Sequence, residues 1–131
     1  MSEHANVAAV RNVLDAFLTG DLDRILGAYT EDAVYRVAGD NIVSGDFKGH
    51  DQIRDFFIHL ATVTDEWKVE VDDVLADDNH AALVINFTTR RGERTLEATA
   101  AMAFKVAPDG RFTESWFLYN DQAAYDDFYR E

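Results

Sequence analysis

Apolar residues recur every three or four positions in roughly the first half of this chain and at alternate positions in much of the second. Residues 4–18 predict a first helix, whose inward stripe is Val7, Val10, Leu14, Phe17 and Leu18. Residues 21–29 predict a second helix, with Leu22, Ile25, Leu26 and Tyr29 on its apolar face. Gly20 lies between the two stripes. Glycine adopts the left-handed conformation at little cost, so a tight corner is expected there, with Asp21 capping the second helix.

The spacing changes to the two-residue period of a strand after Tyr29 and returns to that of a helix at Gly49. The strand runs from Ala33 to Val37. The helix that begins at Gly49 carries Ile53, Phe56, Phe57 and Leu60 on one face. The segment before Phe47 contains two glycines and an Asp-Asn pair, which predict a loop or a short hairpin at the rim of a pocket.

The second half alternates as four predicted strands, at 67–76, 81–90, 95–106 and 111–119, separated by three short turns. Turns of this length join antiparallel neighbours. Asp121 then predicts the start of a short closing helix with Ala124, Tyr125 and Phe128 on one face. The predicted fold class is α+β. Three N-terminal helices pack on a curved antiparallel sheet with a short C-terminal helix, residues 1–131 form a single domain, and a cavity lies between the layers.

Three segments occur in order in the first half: Gly20-Asp21-Leu22-Asp23, residues 29–35 and residues 47–57. This order resembles the opening half of the NTF2-like superfamily, in particular its SnoaL-like and ketosteroid-isomerase-like branch, and the resemblance covers nearly the whole chain. It implies an NTF2-like cone with a small-molecule pocket. Family members include isomerases, cyclases, dehydratases, epoxide hydrolases and plain binding modules, so the resemblance leaves the activity open.

Composition narrows the partners that the pocket and surface can have. The chain has 25 acidic and 12 basic residues and a formal net charge of -13, which disfavours nucleic acid and anionic membranes as partners. It has no cysteine, which removes disulfides and thiolate chemistry. The N-terminus lacks the regions of a signal peptide, and no apolar run is long enough for a membrane span, so a cytoplasmic protein is expected. Metal-ligand spacings and a glycine-rich phosphate loop are absent from the sequence, so we expect no metal and no cofactor.

The resemblance also predicts which reactions the pocket does not perform. The oxyanion tyrosine, the basic aspartate and the second aspartate of ketosteroid isomerases fall near Val13, Val37 and Met102, all of which are apolar here. A true ketosteroid isomerase is therefore not expected. The polar pairs of limonene-epoxide-hydrolase-like members fall near Ala100, Met102 and Leu118, so that activity is disfavoured as well.

Four polar side chains remain as candidate catalytic groups: Tyr35, His59, Tyr119 and Asp121. Tyr35 is either a hydroxyl donor to a substrate or a buried aromatic residue with its hydroxyl bonded to the backbone. His59 is either a proton shuttle or a half-exposed helix residue. Asp121 is the nearest equivalent of the general acid/base that the resemblance to SnoaL-type cyclases implies, or only a helix cap.

The candidate substrate-binding residues are Phe17, Tyr29, Phe57, Asn86, Met102, Trp116 and Phe117. Asn86 interrupts an apolar run, where a buried amide needs either a ligand or a neighbouring element as its partner. Both faces of the last strand are largely apolar. The resemblance to isomerases favours Phe117 and Tyr119 inward, whereas that to epoxide hydrolases favours Trp116 inward. We expect the outward face to form a homodimer interface.

Two hypotheses of function follow. The first is a SnoaL-like protein that binds a hydrophobic, polyketide- or terpenoid-like molecule, with cofactor-free isomerisation, cyclisation or dehydration as its candidate reaction. The second is a non-catalytic ligand-binding or dimerisation module. They differ in whether the pocket contains a titratable group with a shifted pKa and a converging polar partner.

Overall fold

The computed structural model describes residues 4–131. The helices and strands in it follow the changes in apolar periodicity along the sequence. The described residues form four helices and six strands. In chain order these are α1 (Ala5–Thr19), α2 (Leu22–Gly27), β1 (Tyr29–Val37), β2 (Gly45–Lys48), α3 (Gly49–Val63), β3 (Glu66–Ala76), β4 (His80–Arg91), β5 (Arg94–Val106), β6 (Phe112–Tyr119) and α4 (Gln122–Phe128). The α+β class and the NTF2-like cone are confirmed.

The corner between α1 and α2 forms as its residues predict. Gly20 has φ 72° and ends α1, and its N–H bonds to the carbonyl oxygen of Phe17 (3.2 Å). A carboxylate oxygen of Asp21 then accepts a hydrogen bond from the N–H of Arg24 (3.2 Å), which caps α2. The chain therefore turns sharply between α1 and α2, and β1 begins shortly after α2 ends.

The six strands form one sheet in the order β2-β1-β6-β5-β4-β3. All neighbours are antiparallel except β1 and β6, which are parallel, so the expectation of a wholly antiparallel sheet is wrong at this pair. The sequence shows only the turns between consecutive strands, and β1 and β6 are joined by most of the chain. The segment left open as a loop or hairpin is a hairpin, because β2 pairs with β1 from Val37↔Gly45 to Val34↔Lys48.

The helices cover the concave face of the curved sheet. Helix α1 packs on β3 and β4, α3 packs on β1 and β2, and the short α4 packs on β5 and β6. The largest fully buried side chains include Val10, Tyr29, Ile53, Phe104 and Phe112, which come from both layers. The longest helices of the described chain have 15 residues, and none is long and apolar enough to cross a membrane.

Candidate functional site

A cavity of about 110 Å³ lies between the concave face and the helices. Its wall is mainly aromatic and aliphatic, and it includes all five tyrosines of the chain: Tyr29, Tyr35, Tyr119, Tyr125 and Tyr129. The other aromatic side chains of the wall are Phe17, Phe56, Phe57, Trp67, Phe87, Phe104 and Phe117. The helices and the sheet therefore enclose a cavity whose wall consists mainly of aromatic rings and contains no charged side chain among the described residues.

Strand register decides which side chains reach this cavity. The pairs Val37↔Phe117, Phe117↔Met102 and Met102↔Leu83 form one row across four strands, and all four residues line the cavity. Side chains along a strand alternate between faces, so residues one position away point to the convex face. The isomerase-like alternative for β6, with Phe117 and Tyr119 inward, therefore agrees with the structure.

The polar groups of the cavity wall are hydroxyls and the indole N–H of Trp67. Within residues 4–131, the wall contains no aspartate, glutamate, histidine, lysine or arginine. The wall therefore offers no side chain that changes charge near neutral pH. What it offers a ligand is apolar contact, ring faces and hydroxyl hydrogen bonds.

The Tyr29 hydroxyl is already engaged by the protein. It lies 3.0 Å from the hydroxyl oxygen of Ser115, and the two residues are 1% and 0% exposed. Burial raises the pKa of Tyr29 far above its usual value, although the hydrogen bond to Ser115 opposes this. Tyr29 therefore contributes its ring to the cavity wall, while its hydroxyl joins β1 to β6.

The Tyr35 hydroxyl has no hydrogen-bond partner among the described residues, although only 5% of Tyr35 is exposed. No fully buried side-chain nitrogen or oxygen in the described chain lacks a partner, so the Tyr35 hydroxyl opens onto the cavity. Its ring is fixed by Phe56 and Phe57, whose ring centres lie 5.1 and 5.3 Å away. Burial, with smaller contributions from Tyr29 and Tyr125, raises its pKa well above the usual value. Tyr35 is therefore an uncharged donor aimed into an apolar space.

Tyr119 and Tyr125 stack face to face at the α4 end of the cavity. Their ring centres lie 3.5 Å apart and the ring planes differ by 21°. Burial, and then the interaction with the Tyr125 hydroxyl, raise the pKa of Tyr119 well above its usual value. Tyr129 lies beside them, and its hydroxyl oxygen is 2.7 Å from that of Thr64. The three tyrosines close this end of the cavity with uncharged rings.

Phe17, Phe57 and Trp67 also line the cavity, and all three are partly exposed. Phe17 stacks on Trp67 with ring centres 4.9 Å apart and lies 6.1 Å from Phe57. These rings come from α1, α3 and β3, so three separate elements meet there.

Two candidate catalytic residues lie outside the cavity. His59 is exposed, and its Nε2 donates to the carbonyl oxygen of Ile42 (3.0 Å), which ties α3 to the β1–β2 loop. Asp121 is exposed, and its carboxylate accepts from the N–H of Ala124 (3.0 Å) as the cap of α4. Neither is retained as a candidate, because the helix periodicity and the cap position turn both side chains away from the wall.

Two candidate substrate-binding residues also lie elsewhere. Asn86 is exposed on the convex face, where its side-chain oxygen accepts from the Thr99 hydroxyl (2.7 Å). Trp116 lies on the same face, and the ammonium of Lys105 is 5.7 Å from its ring centre. The period of two places these residues opposite Phe87 and Phe117, so the expectation that they contact a ligand in this cavity is corrected.

Tyr35, Tyr119, Phe17, Tyr29, Phe57, Met102 and Phe117 do meet in the wall. The candidate list omitted Tyr125 and Tyr129 of the C-terminal segment and Trp67 and Phe87 of the sheet. The sequence pattern already placed Tyr125 on the apolar face of the closing helix, which is the feature that could have identified it as a wall residue. The position of α4 over β5 and β6 was needed to turn that signal into a cavity wall.

Comparison with known proteins agrees with this architecture. The uncharacterized protein Rv0034 of Mycobacterium tuberculosis is 28% identical over 131 residues, covering 98% of this chain and 99% of that protein. The structure of Bal32a, from a soil-derived mobile gene cassette, is 26% identical and covers 96% of this chain and 97% of its own, with a TM-score of 0.89. A putative SnoaL-like polyketide cyclase from Shewanella denitrificans shares the fold at 15% identity, covering 96% of this chain and 97% of its own, with a TM-score of 0.78. Residues 10–115 match the sequence profile of the SnoaL-like domain, and the chain therefore belongs to the SnoaL-like domain family.

Proposed function

We propose that this protein binds a small, uncharged, ring-containing molecule whose oxygen accepts a hydrogen bond from Tyr35. The observation that carries the proposal is the Tyr35 hydroxyl, which has no protein partner and opens onto a cavity of aromatic rings. Because the hydroxyl opens onto the cavity, a ligand that supplies an acceptor gains a neutral hydrogen bond there, which contributes about 0.5–1.5 kcal/mol. A hydrocarbon of the same shape does not.

The cavity volume supports a ligand of about one ring. An apolar cavity of about 150 Å³ in another protein holds one benzene molecule. The cavity here measures about 110 Å³. A polyketide- or terpenoid-like molecule with several rings exceeds this space, so the volume supports a smaller ligand than the family resemblance implies.

Ligand binding without turnover is the function that the wall supports best. Isomerisation, cyclisation and dehydration need a group that accepts a proton near neutral pH. Tyr35 and Tyr119 have pKa values well above the usual range, so they act as donors and not as bases. With His59 and Asp121 outside the cavity, the described residues supply no general base to a bound molecule. If the protein catalyses one of these reactions, the substrate itself must supply the group that accepts the proton.

The test compares three compounds with equal numbers of heavy atoms: acetophenone, its hydrocarbon isostere α-methylstyrene, and the anion benzoate. Trp67 lies in the cavity wall, and the second tryptophan of the chain is Trp116 on the convex face. The Trp116→Phe variant therefore leaves Trp67 as the fluorescent reporter, and calorimetry on the unmodified protein gives the affinities. We expect acetophenone to bind most tightly and benzoate least, because the wall has no cation to compensate a buried charge. Equal or tighter binding of benzoate would refute the proposal.

We also propose that the convex face of the sheet pairs with a second copy of the chain. Leu118 and Leu75 are 48% and 52% exposed there, and Trp116 lies on the same face. Val84, Ala101 and Leu118 form one apolar row across β4, β5 and β6. An apolar sheet face left in water is unfavourable, and a two-fold partner presents the same face to cover it. Light scattering at micromolar concentration tests this, and a mass of one 14.8 kDa chain would contradict it.

A further inference from the structure

We infer that Tyr125 determines the largest ligand that the cavity accepts, so that it is a specificity-determining residue at the α4 end. This inference rests on the proposed binding function. Tyr125 is proposed to limit the size of the ligand, whereas Tyr35 is proposed to donate a hydrogen bond to the ligand's oxygen.

The first observation is the geometry of the Tyr119–Tyr125 stack. Aromatic pairs in proteins usually have ring centres 4.5–7 Å apart in offset or edge-to-face arrangements. The centres here are 3.5 Å apart with an interplanar angle of 21°, which is a nearly direct overlay. Tyr125 thus covers the face of Tyr119 in the way that a flat ligand would cover it. One ring-sized part of the space above β6 is already occupied by the protein itself.

The second observation is that two sets of hydrogen bonds hold α4 in place. At its C-terminal end, Arg91 donates from Nη1 to the carbonyl oxygen of Phe128 (2.8 Å) and from Nε to that of Val63 (2.9 Å). Arg94 also reaches the Phe128 carbonyl oxygen (3.3 Å). These bonds join α4 to the sheet and to the end of α3, and the carbonyl groups at a helix C-terminus are natural acceptors for arginine.

The other attachment is a carboxylate that collects several donors. Asp126 Oδ1 accepts from the backbone N–H of Asp40 (3.0 Å), the side-chain amide of Asn41 (2.7 Å) and that of Gln122 (3.1 Å). Together with the arginine contacts, this carboxylate fixes the helix on which Tyr125 stands. A side chain held in place on a fixed helix sets a definite limit to the cavity, because the wall does not yield to a larger guest without breaking these bonds.

The third observation is the extent of the family match. The SnoaL-like profile covers residues 10–115, and α4 begins at Gln122, beyond the matched region. Tyr125 therefore lies outside the residues that define the family match.

The experiment measures the affinity of acetophenone and of 2-acetylnaphthalene, which has the same carbonyl group and one more fused ring. We expect the unmodified protein to bind the two-ring compound at least tenfold more weakly. Tyr125→Leu opens the ring-sized space, and we expect the ratio of the two affinities to move by at least tenfold toward the two-ring compound. Tyr125→Phe keeps the ring and is expected to keep excluding the larger ligand.

Phe128→Leu is the matched control. Phe128 is on the same helix and is 4% exposed, against 5% for Tyr125, but it does not line the cavity. This change lowers stability by a comparable packing loss, and we expect it to leave the affinity ratio at the value of the unmodified protein. Thermal unfolding of both variants shows whether they are folded.

The outcomes separate this inference from the proposed function. Failure of the unmodified protein to bind either ketone refutes the proposed function. Tight binding of acetophenone with equally tight binding of 2-acetylnaphthalene leaves the proposed function standing and overturns the role of Tyr125, even if Tyr125→Leu does not fold. An equal change of the ratio in Tyr125→Leu and Phe128→Leu also overturns it, because general loosening of α4 would then suffice.

Discussion

Removing the hydroxyl from Tyr29 and from Tyr35 should have opposite consequences, although both residues are tyrosines of β1 that line the same cavity. Tyr29→Phe removes the hydroxyl that lies 3.0 Å from the Ser115 hydroxyl, and Ser115 is 0% exposed. A buried polar group left unsatisfied costs about 1–3 kcal/mol. Tyr35→Phe removes a hydroxyl that bonds to no described residue, so the protein loses nothing on this account and we expect equal or greater stability.

Ligand binding should show the reverse order. Tyr35→Phe removes the donor proposed for the ligand oxygen, and one neutral hydrogen bond contributes about 0.5–1.5 kcal/mol, which is roughly twofold to tenfold in affinity. We expect this loss for acetophenone and no loss for α-methylstyrene, which has no acceptor. The two variants thus separate the tyrosine that stabilises the fold from the tyrosine that contacts the ligand.

Urea unfolding of the two variants and of the unmodified protein measures the first effect, and calorimetric titration with the two compounds measures the second. For a chain of this size, each kcal/mol corresponds to a shift of about 2–8 °C in the midpoint of thermal unfolding. Destabilisation of Tyr35→Phe as large as that of Tyr29→Phe would show that the Tyr35 hydroxyl has a partner in the protein. An equal loss of affinity for both compounds would show that the ring, and not the hydroxyl, was disturbed.

Three further perturbations address α4 and the convex face. Gly39→Ala should lower the unfolding midpoint, because Gly39 has φ 107° and an added Cβ would push Asp126 Oδ1 and the Gln122 amide out of their hydrogen bonds. Gly92→Ala, at φ 58° with no atom near an added Cβ, is the control for a left-handed position without a collision. Burial opposes a low pKa at Asp126, but hydrogen bonds from Asn41, Asp40 and Gln122 lower it, so its contribution to stability is fully present above its ordinary pKa and is lost as the pH falls through the lowered value. The stability difference between the unmodified protein and Asp126→Asn, measured by urea unfolding, should therefore stay constant from pH 6 to about 5 and shrink as the pH is lowered through and below about 4. A difference that is independent of pH down to about 3 would contradict this. Leu118→Asp should convert the proposed dimer to a monomer in light scattering without changing acetophenone affinity, since Leu118 lies on the face opposite the cavity.

Local pattern predicted most of the elements because their causes are local. The corner at Gly20, the cap at Asp121 and the four alternating strands of the second half depend on residues within a few positions of each other, and all appear near the expected bounds. The parallel pairing of β1 with β6 was not predicted, because it joins residues that are 80 positions apart, such as Tyr35 and Ser115. No turn or cap in the sequence encodes that contact.

The candidate site divides in the same way. Phe17, Tyr29 and Tyr35 were placed in the cavity because each shares a stripe or a strand face with other apolar residues. Asn86 and Trp116 were misplaced because a strand with two apolar faces does not indicate which face is inward, and only the register with β5 decides it.

The sequence by itself determined the helices, the strands, the SnoaL-like resemblance and the apolar residues at the three positions where ketosteroid isomerases are polar. The tertiary structure decided which hydroxyls are free. Tyr29 and Tyr35 are alike in sequence context, yet one meets Ser115 across the sheet and the other faces open space. The structure also brought Tyr125 from the end of the chain onto Tyr119. Hydrogen-bond satisfaction and cavity volume depend on distances between residues that are far apart in sequence, and the sequence pattern carries no direct record of those distances.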